Sequence, residues 1–136
     1  MRDTILSHEF ADLVFDHTTQ LIEEIWKPTT TDMSDKEYKA YQALKVKKVR
    51  EVSPKFFLCD TKNFFYPMSP EMQEWTDEKL NKFWLEIGLS RFAMIVSKGE
   101  IEQISLELAM TERSDLGYAF HFFDEADDAR AWLLNT

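Results

Sequence analysis

The stretch FFLCDTKNFFYPMSPE, residues 56 to 71, joins a predicted buried strand to the start of a predicted helix. FFLC, residues 56 to 59, is a short continuous apolar run, which is typical of a strand covered on both faces. Ser69, followed by Pro70 and Glu71, has the pattern of a helix N-terminus: a capping side chain, a proline in the first turn and an acid that complements the helix dipole. A buried strand followed by a helix is the unit from which parallel α/β sheets are built.

Further elements of both kinds are predicted on either side of this stretch. An S-x-x-E capping box at Ser34 and Glu37 begins the first helix. Strands are expected at 10–16, 21–26, 56–59, 92–96 and 119–123, with 4–8 as a further short strand or the start of the first. Helices are expected at 34 to about 52, 70 to about 87, about 100 to 113 and about 125 to 134, with Asp124 as the last N-cap. This order predicts an α/β fold: a mixed sheet with an N-terminal antiparallel hairpin, later parallel strands and about four covering helices.

Composition predicts a single domain over residues 1–136. Hydrophobic residues make up 44% of the chain, which argues against disorder. The formal net charge of −9 repels phosphate backbones, so we expect no nucleic-acid partner. A lone cysteine, the absence of a signal-peptide pattern and the absence of a run of about 18 apolar residues favour a cytoplasmic protein without a membrane span.

Several segments, in an order that covers nearly the whole chain, carry a family resemblance: IEEIWK, CDT, MSPEMQEW, GLSRFAMIV and FHFFDEADDARAWL. Together they resemble the STAS-like fold of anti-sigma-factor antagonists, and more closely a group of SpoIIAA-like single-domain proteins of Bacteroidetes-type bacteria whose function is not established. In STAS regulators, a serine or threonine at the start of the helix after the middle strand is phosphorylated by a partner kinase. The resemblance therefore implies Ser69 as a possible phosphosite.

The strand end and the helix start supply three polar candidates. Asp60 and Thr61 follow FFLC at the carboxyl end of a strand, where open α/β sheets bind ligands, although the aspartate could instead hold the loop through backbone N–H groups. Ser69 is a candidate for partner contact or modification, and its position is equally that of a plain N-cap. Cys59 has no paired base in the sequence pattern, so we expect a buried thiol and not a nucleophile.

The aromatic residues Phe64, Phe65 and Tyr66 stand between these polar candidates. Three solvated aromatic side chains are costly, so they either tuck under the helix at 70–87 or form a contact surface. Trp75 and Trp84 lie nine residues apart on that helix and point in nearly opposite directions, so one of them is expected near a rim or interface.

Other clusters predict no chemistry. The basic residues Lys45, Lys47, Lys48 and Arg50 suit the C-terminal half of a helix and are expected to form a solvated face. The histidines show no metal-ligand spacing, and G-x-S-x-G, P-loop and G-x-G-x-x-G patterns are missing from the sequence. We therefore expect no metal, no cofactor and no enzymatic activity.

These patterns favour a cytoplasmic regulatory or protein-interaction module whose working surface is residues 60–75. Its partner would be another protein or a second copy of the chain, as in a homodimer. The alternative is a binder of a small apolar or amphipathic ligand in a pocket under the 61–67 loop. The candidate binding residues are Asp60, Thr61, Phe64, Phe65, Tyr66, Ser69 and Trp75.

Overall fold

The computed structural model describes residues 2–100 and 117–135 of the chain. The strands are β1 (Arg2–Ser7), β2 (Ala11–Asp16), β3 (Leu21–Trp26), β4 (Phe56–Asp60), β5 (Arg91–Ile95) and β6 (Ala119–Phe123). The helices that lie wholly within the described ranges are α1 (Asp35–Val52), α2 (Pro70–Glu86) and α3 (Ala126–Leu134), with a short 3-10 helix at Pro28–Asp32 before α1. The helix predicted at about 100–113 lies outside the described residues, apart from Glu100.

The six strands form one mixed sheet in the order β1-β2-β3-β4-β5-β6. The first three strands pair antiparallel, and β3, β4, β5 and β6 pair parallel. The predicted fold class, an N-terminal antiparallel hairpin followed by parallel strands, is therefore confirmed. Residues 4–8 belong largely to the separate strand β1, which pairs with β2.

The two faces of the sheet carry different helices. The parallel strands β3, β4, β5 and β6 follow one another across the sheet in a single direction. Right-handed crossovers between them therefore place α1 and α2 on the same face. Their buried side chains pack with those of the strands in one core that includes Tyr38, Tyr41, Phe57 and Trp84. A smaller core on the opposite face joins α3 to the strands through Leu21, Leu58, Ile95, Ala129 and Leu133.

The helix starts follow from local hydrogen bonds. In the capping box of α1, Ser34 Oγ accepts from the backbone N–H of Glu37 at 3.1 Å, and Glu37 Oε1 accepts from the N–H of Ser34 at 3.0 Å. Ser69 Oγ accepts from the N–H of Met72 at 3.1 Å and caps α2 as predicted. The N-cap of α3 is Glu125 and not Asp124, and no side chain caps that helix.

Candidate functional site

A cavity of about 410 Å³ lies between the sheet and helices α1 and α2. Part of its lining is a row across four parallel strands, in which Glu24 pairs with Cys59, Cys59 with Met94 and Met94 with Phe122. Alternate residues of a strand point to opposite faces of a sheet, so these four side chains share one face. The cavity is within the size range of small-molecule sites, roughly 300–1,000 Å³.

The lining of this cavity is predominantly apolar and aromatic. The strands contribute Trp26, Phe92 and Phe120 besides the row just described. The loop after β4 contributes a wall at residues 61–68. The apolar and aromatic side chains that the helices and this loop add are Tyr38, Leu80, Phe64 and Met68.

An ion pair between Glu24 and Lys45 is buried in the cavity lining. Lys45 Nζ lies 3.0 Å from Glu24 Oε2, and the two side chains are only 4% and 1% exposed. The hydroxyl of Tyr41 donates to Oε2 at 2.7 Å, and Cys59 Sγ donates to Oε1 at 3.3 Å. Each buried ion costs several kcal/mol of desolvation, and these three donors offset that cost for the carboxylate.

The rings around Lys45 complete its surroundings. Its Nζ lies 5.7 to 5.8 Å from the ring centroids of Trp26, Tyr41 and Phe57. Ammonium groups are attracted to aromatic faces within about 6 Å. The cation is therefore held by one carboxylate and three rings.

The Gln42 side chain carries an unsatisfied hydrogen-bond acceptor in the same lining. The residue is 1% exposed, and its Oε1 accepts no hydrogen bond from the part of the chain that the structure describes. Buried side-chain oxygens are normally hydrogen-bonded, because an unmade bond leaves the desolvation cost uncompensated. Gln42 Oε1 is therefore a buried acceptor in the described lining that is free to receive a hydrogen bond.

Burial keeps the acidic groups around this cluster protonated. Burial first, then the charge of Glu24, raises the pKa of Cys59 and of Tyr41 well above the ordinary values. Burial also raises the pKa of Tyr38 to about 12, against opposing hydrogen bonds from Thr76 and Gln42. The thiol is buried, as the sequence predicts.

The three aromatic residues of the loop divide between burial and exposure. Tyr66 is buried, stacks on Tyr38 with ring centroids 4.8 Å apart, and donates a hydrogen bond to Asp35. Phe64 is half-buried against Trp26, with centroids 4.6 Å apart. Phe65 is 50% exposed. The sequence left burial and surface contact open, and the structure shows both: Tyr66 is buried, Phe64 lines the cavity and Phe65 faces solvent.

The remaining candidates lie at different places. Thr61 lines the cavity and donates through Oγ1 to the carbonyl of Ile95 at 2.7 Å. Asp60 alternates with Cys59 along β4, so it lies on the face of the sheet opposite the cavity, and its Oδ1 accepts a hydrogen bond from the N–H of Lys62 at 3.1 Å. Ser69 and Trp75 line a separate pocket of about 430 Å³ between the starts of α1 and α2. The structure therefore brings Thr61 and Phe64 into the cavity, with Tyr66 packed behind them.

Sequence reasoning missed the charged centre of the cavity. Lys45 was predicted on a solvated basic face, and that prediction is wrong for this residue, because it is buried against Glu24. Lys45 lies seven residues after Tyr38 and four after Tyr41, so helical spacing places all three on one stripe. Glu24 alternates with Ile22 and Trp26 in β3. Lys45 on the apolar stripe of α1 and Glu24 on the apolar face of β3 were therefore the sequence signal for a buried ion pair.

Neither a metal-ligand cluster nor a membrane-spanning helix is present in the described ranges. No three His, Cys, Asp or Glu side chains within residues 2–100 and 117–135 are placed to share a metal ion. Among the same residues, no helix combines the length and apolar character needed to cross a bilayer. Comparison with protein-family models, with curated proteins and with solved structures finds no significant match to this chain.

Proposed function

We propose that this protein binds a small amphipathic ligand in the cavity between the sheet and helices α1 and α2. The observation that supports this is one cavity that combines aromatic walls with a buried polar cluster. Small-molecule sites join a mostly apolar lining to a few fixed polar groups in the same way. The aromatic walls would take up the apolar body of the ligand, at roughly 25 cal/mol per Å² removed from water, and the polar cluster would orient it.

The protonation states in the cluster support binding in preference to catalysis. The raised pKa of Cys59 keeps it as a thiol, whereas a nucleophilic cysteine must be a thiolate. The raised pKa of Tyr41 keeps its hydroxyl as a donor to Glu24. Glu24 is neutralised by Lys45 at 3.0 Å and is a poor candidate for a free general base. Cys59, Tyr41 and the Glu24–Lys45 pair would therefore orient the ligand as fixed polar groups and would take no part in a reaction.

The loop at 61–68 supports the proposal as a fixed wall. The backbone N–H and the hydroxyl of Thr61 both donate to Ile95 O, at 3.0 and 2.7 Å. At the other side, the N–H of Phe65 donates to Thr30 Oγ1 at 2.8 Å, and Thr30 donates to Asn63 O at 3.1 Å. A wall fixed by hydrogen bonds at residues 61, 63 and 65 supports a pre-formed site, as small-molecule sites usually are.

Calorimetric titration with 2-naphthol tests the proposal, because this probe joins an aromatic body to one polar group. Wild type should bind it saturably with one site, and Met94→Trp, which fills the middle of the cavity, should lose binding by at least tenfold. Leu85→Trp is the matched control, since Leu85 is 54% exposed on α2 and outside the cavity lining. Circular dichroism verifies that both variants fold. The absence of binding to wild type, or equal binding to Met94→Trp, would overturn the proposal.

A second candidate function rests on the 50% exposed Phe65. An exposed aromatic ring four residues before Ser69, which lines a separate pocket with Trp75, suits an anchor for a protein partner or a second copy of the chain. The resemblance to STAS regulators points to the same helix start. Sedimentation velocity and affinity capture with Phe65→Ser test it, with Leu85→Ser as the control for loss of exposed apolar surface. Unchanged association in the Phe65→Ser variant would contradict this role.

A further inference from the structure

The open acceptor of Gln42 restricts the chemistry of the ligand. Gln42 lines the cavity, is 1% exposed and has no hydrogen-bond partner for Oε1 in the described chain. An acceptor in that position is complemented by an O–H or N–H donor and is repelled by another acceptor. A ligand that donates a hydrogen bond would satisfy Gln42 Oε1, the unsatisfied buried side-chain acceptor of the described lining.

The charges of the lining disfavour an anionic ligand. Among described residues the lining holds Lys45 as its cation and Glu24 and Glu100 as its anions. Lys45 is already paired with Glu24, and Glu100 accepts from Ser97 Oγ at 3.2 Å. A carboxylate or phosphate group in the cavity would therefore find the ammonium group of Lys45 already paired with Glu24, and Gln42 Oε1 would offer it an acceptor where it needs a donor. Burial of an unpaired charge is far more costly than burial of a hydroxyl.

The walls restrict the body of the ligand. Trp26, Phe64, Phe92, Phe120 and Phe122 all line the cavity. Flat aromatic rings pair with such side chains in offset or edge-to-face arrangements and gain beyond the area that they bury. The lining therefore suits an aromatic body better than a flexible chain.

We infer that the ligand is a neutral aromatic molecule with one O–H or N–H donor, of the phenol or indole class, and that Gln42 Oε1 accepts its hydrogen bond. Gln42 is then the specificity-determining residue of the cavity. This inference rests on the proposed function, since it names the class of ligand for the same site. Loss of one neutral hydrogen bond changes affinity by about tenfold, and by more where a buried partner is left unpaired.

Three naphthalene probes of matched shape test the inference by calorimetry. 2-Naphthol carries a donor, 2-methoxynaphthalene keeps the oxygen without the donor, and 2-naphthoate is an anion. Wild type should bind 2-naphthol at least tenfold more tightly than either of the others. Gln42→Met keeps the length of the side chain and removes the acceptor, and it should reduce the naphthol-to-methoxynaphthalene ratio to within about threefold. Lys47→Met is the matched control, because Lys47 lies on the same helix but is exposed and outside the cavity lining.

The outcomes separate the two proposals. Failure of every probe to bind wild type would overturn the proposed function and this inference with it. Binding of all three probes with similar affinity, or preference for 2-naphthoate, would leave the proposed function standing and overturn the inference alone. A naphthol preference that survives in Gln42→Met would assign the donor contact to another residue and contradict the role of Gln42. Preference in wild type and in Lys47→Met that is lost in Gln42→Met is the expected result.

Discussion

Replacement of Lys45 by methionine should destabilise the protein strongly, because it leaves Glu24 buried without its counter-charge. Lys45 Nζ lies 3.0 Å from Glu24 Oε2, and both side chains are nearly inaccessible to water. Removal of one partner of a buried pair costs about 3–5 kcal/mol. The remaining hydrogen bonds from Tyr41 and Cys59 to the carboxylate place the expected loss near the lower end, about 3 kcal/mol.

Urea unfolding measures this loss. With a slope of about 2 kcal/mol per M, a loss of about 3 kcal/mol lowers the midpoint by roughly 1.5 M. Lys47→Met is the matched control on the same helix, since Lys47 is exposed and its replacement should change stability by less than about 0.5 kcal/mol. The difference between the two variants removes the effect of losing a positive charge as such.

A difference of less than about 1 kcal/mol between Lys45→Met and Lys47→Met would show that Glu24 and Lys45 do not form a buried, ionised pair.

Three further predictions follow from the loop and the helix start. Ser69→Ala should lower stability by about 1 kcal/mol in urea, because the cap to the N–H of Met72 is lost; an unchanged midpoint would show that the cap contributes nothing. The pKa of Tyr38 is about 12 in the folded protein and about 10 in the unfolded chain, so the unfolded chain loses this proton first and wild-type stability should fall between about pH 10 and 12. Tyr38→Phe should reduce the slope of this fall, and an equal slope in both proteins would contradict the prediction. Phe65→Ala should change thermal stability by less than about 0.5 kcal/mol, whereas Phe64→Ala should cost at least about 2 kcal/mol, and similar losses would contradict their unequal burial.

The fold was accessible from the sequence because each element carries a local signal. The strand FFLC is a continuous apolar run, and the two long helices begin at Ser34 and Ser69 with side chains that bond the first-turn N–H groups. These signals depend only on neighbours along the chain. The N-cap of α3 was misplaced by one residue because Glu125 occupies that position without a capping bond, and nothing local distinguishes it from Asp124.

The candidate site was less accessible, because it depends on contacts between distant segments. The loop at 61–67 was singled out from its aromatic residues, and Thr61 and Phe64 do line the cavity beneath it. Glu24 and Lys45 are 21 residues apart. Each lies on an apolar stripe, which signals burial, but only the packing of α1 on the sheet shows that the two charges meet. The open acceptor of Gln42 is likewise a property of its surroundings and leaves no trace in the sequence pattern.

Methyl NMR of protein labelled with ¹³C at the methionine methyl groups shows directly whether the cavity takes up a small amphipathic ligand. Met68 and Met94 line the cavity, Met72 lines the separate pocket between the starts of α1 and α2, and Met33 is buried elsewhere in the core. Titration with 2-naphthol should shift the Met68 and Met94 methyl signals saturably and with one dissociation constant, while the Met33 signal stays in place. Unshifted Met68 and Met94 signals at saturating probe, or shifts confined to Met72, would contradict the account.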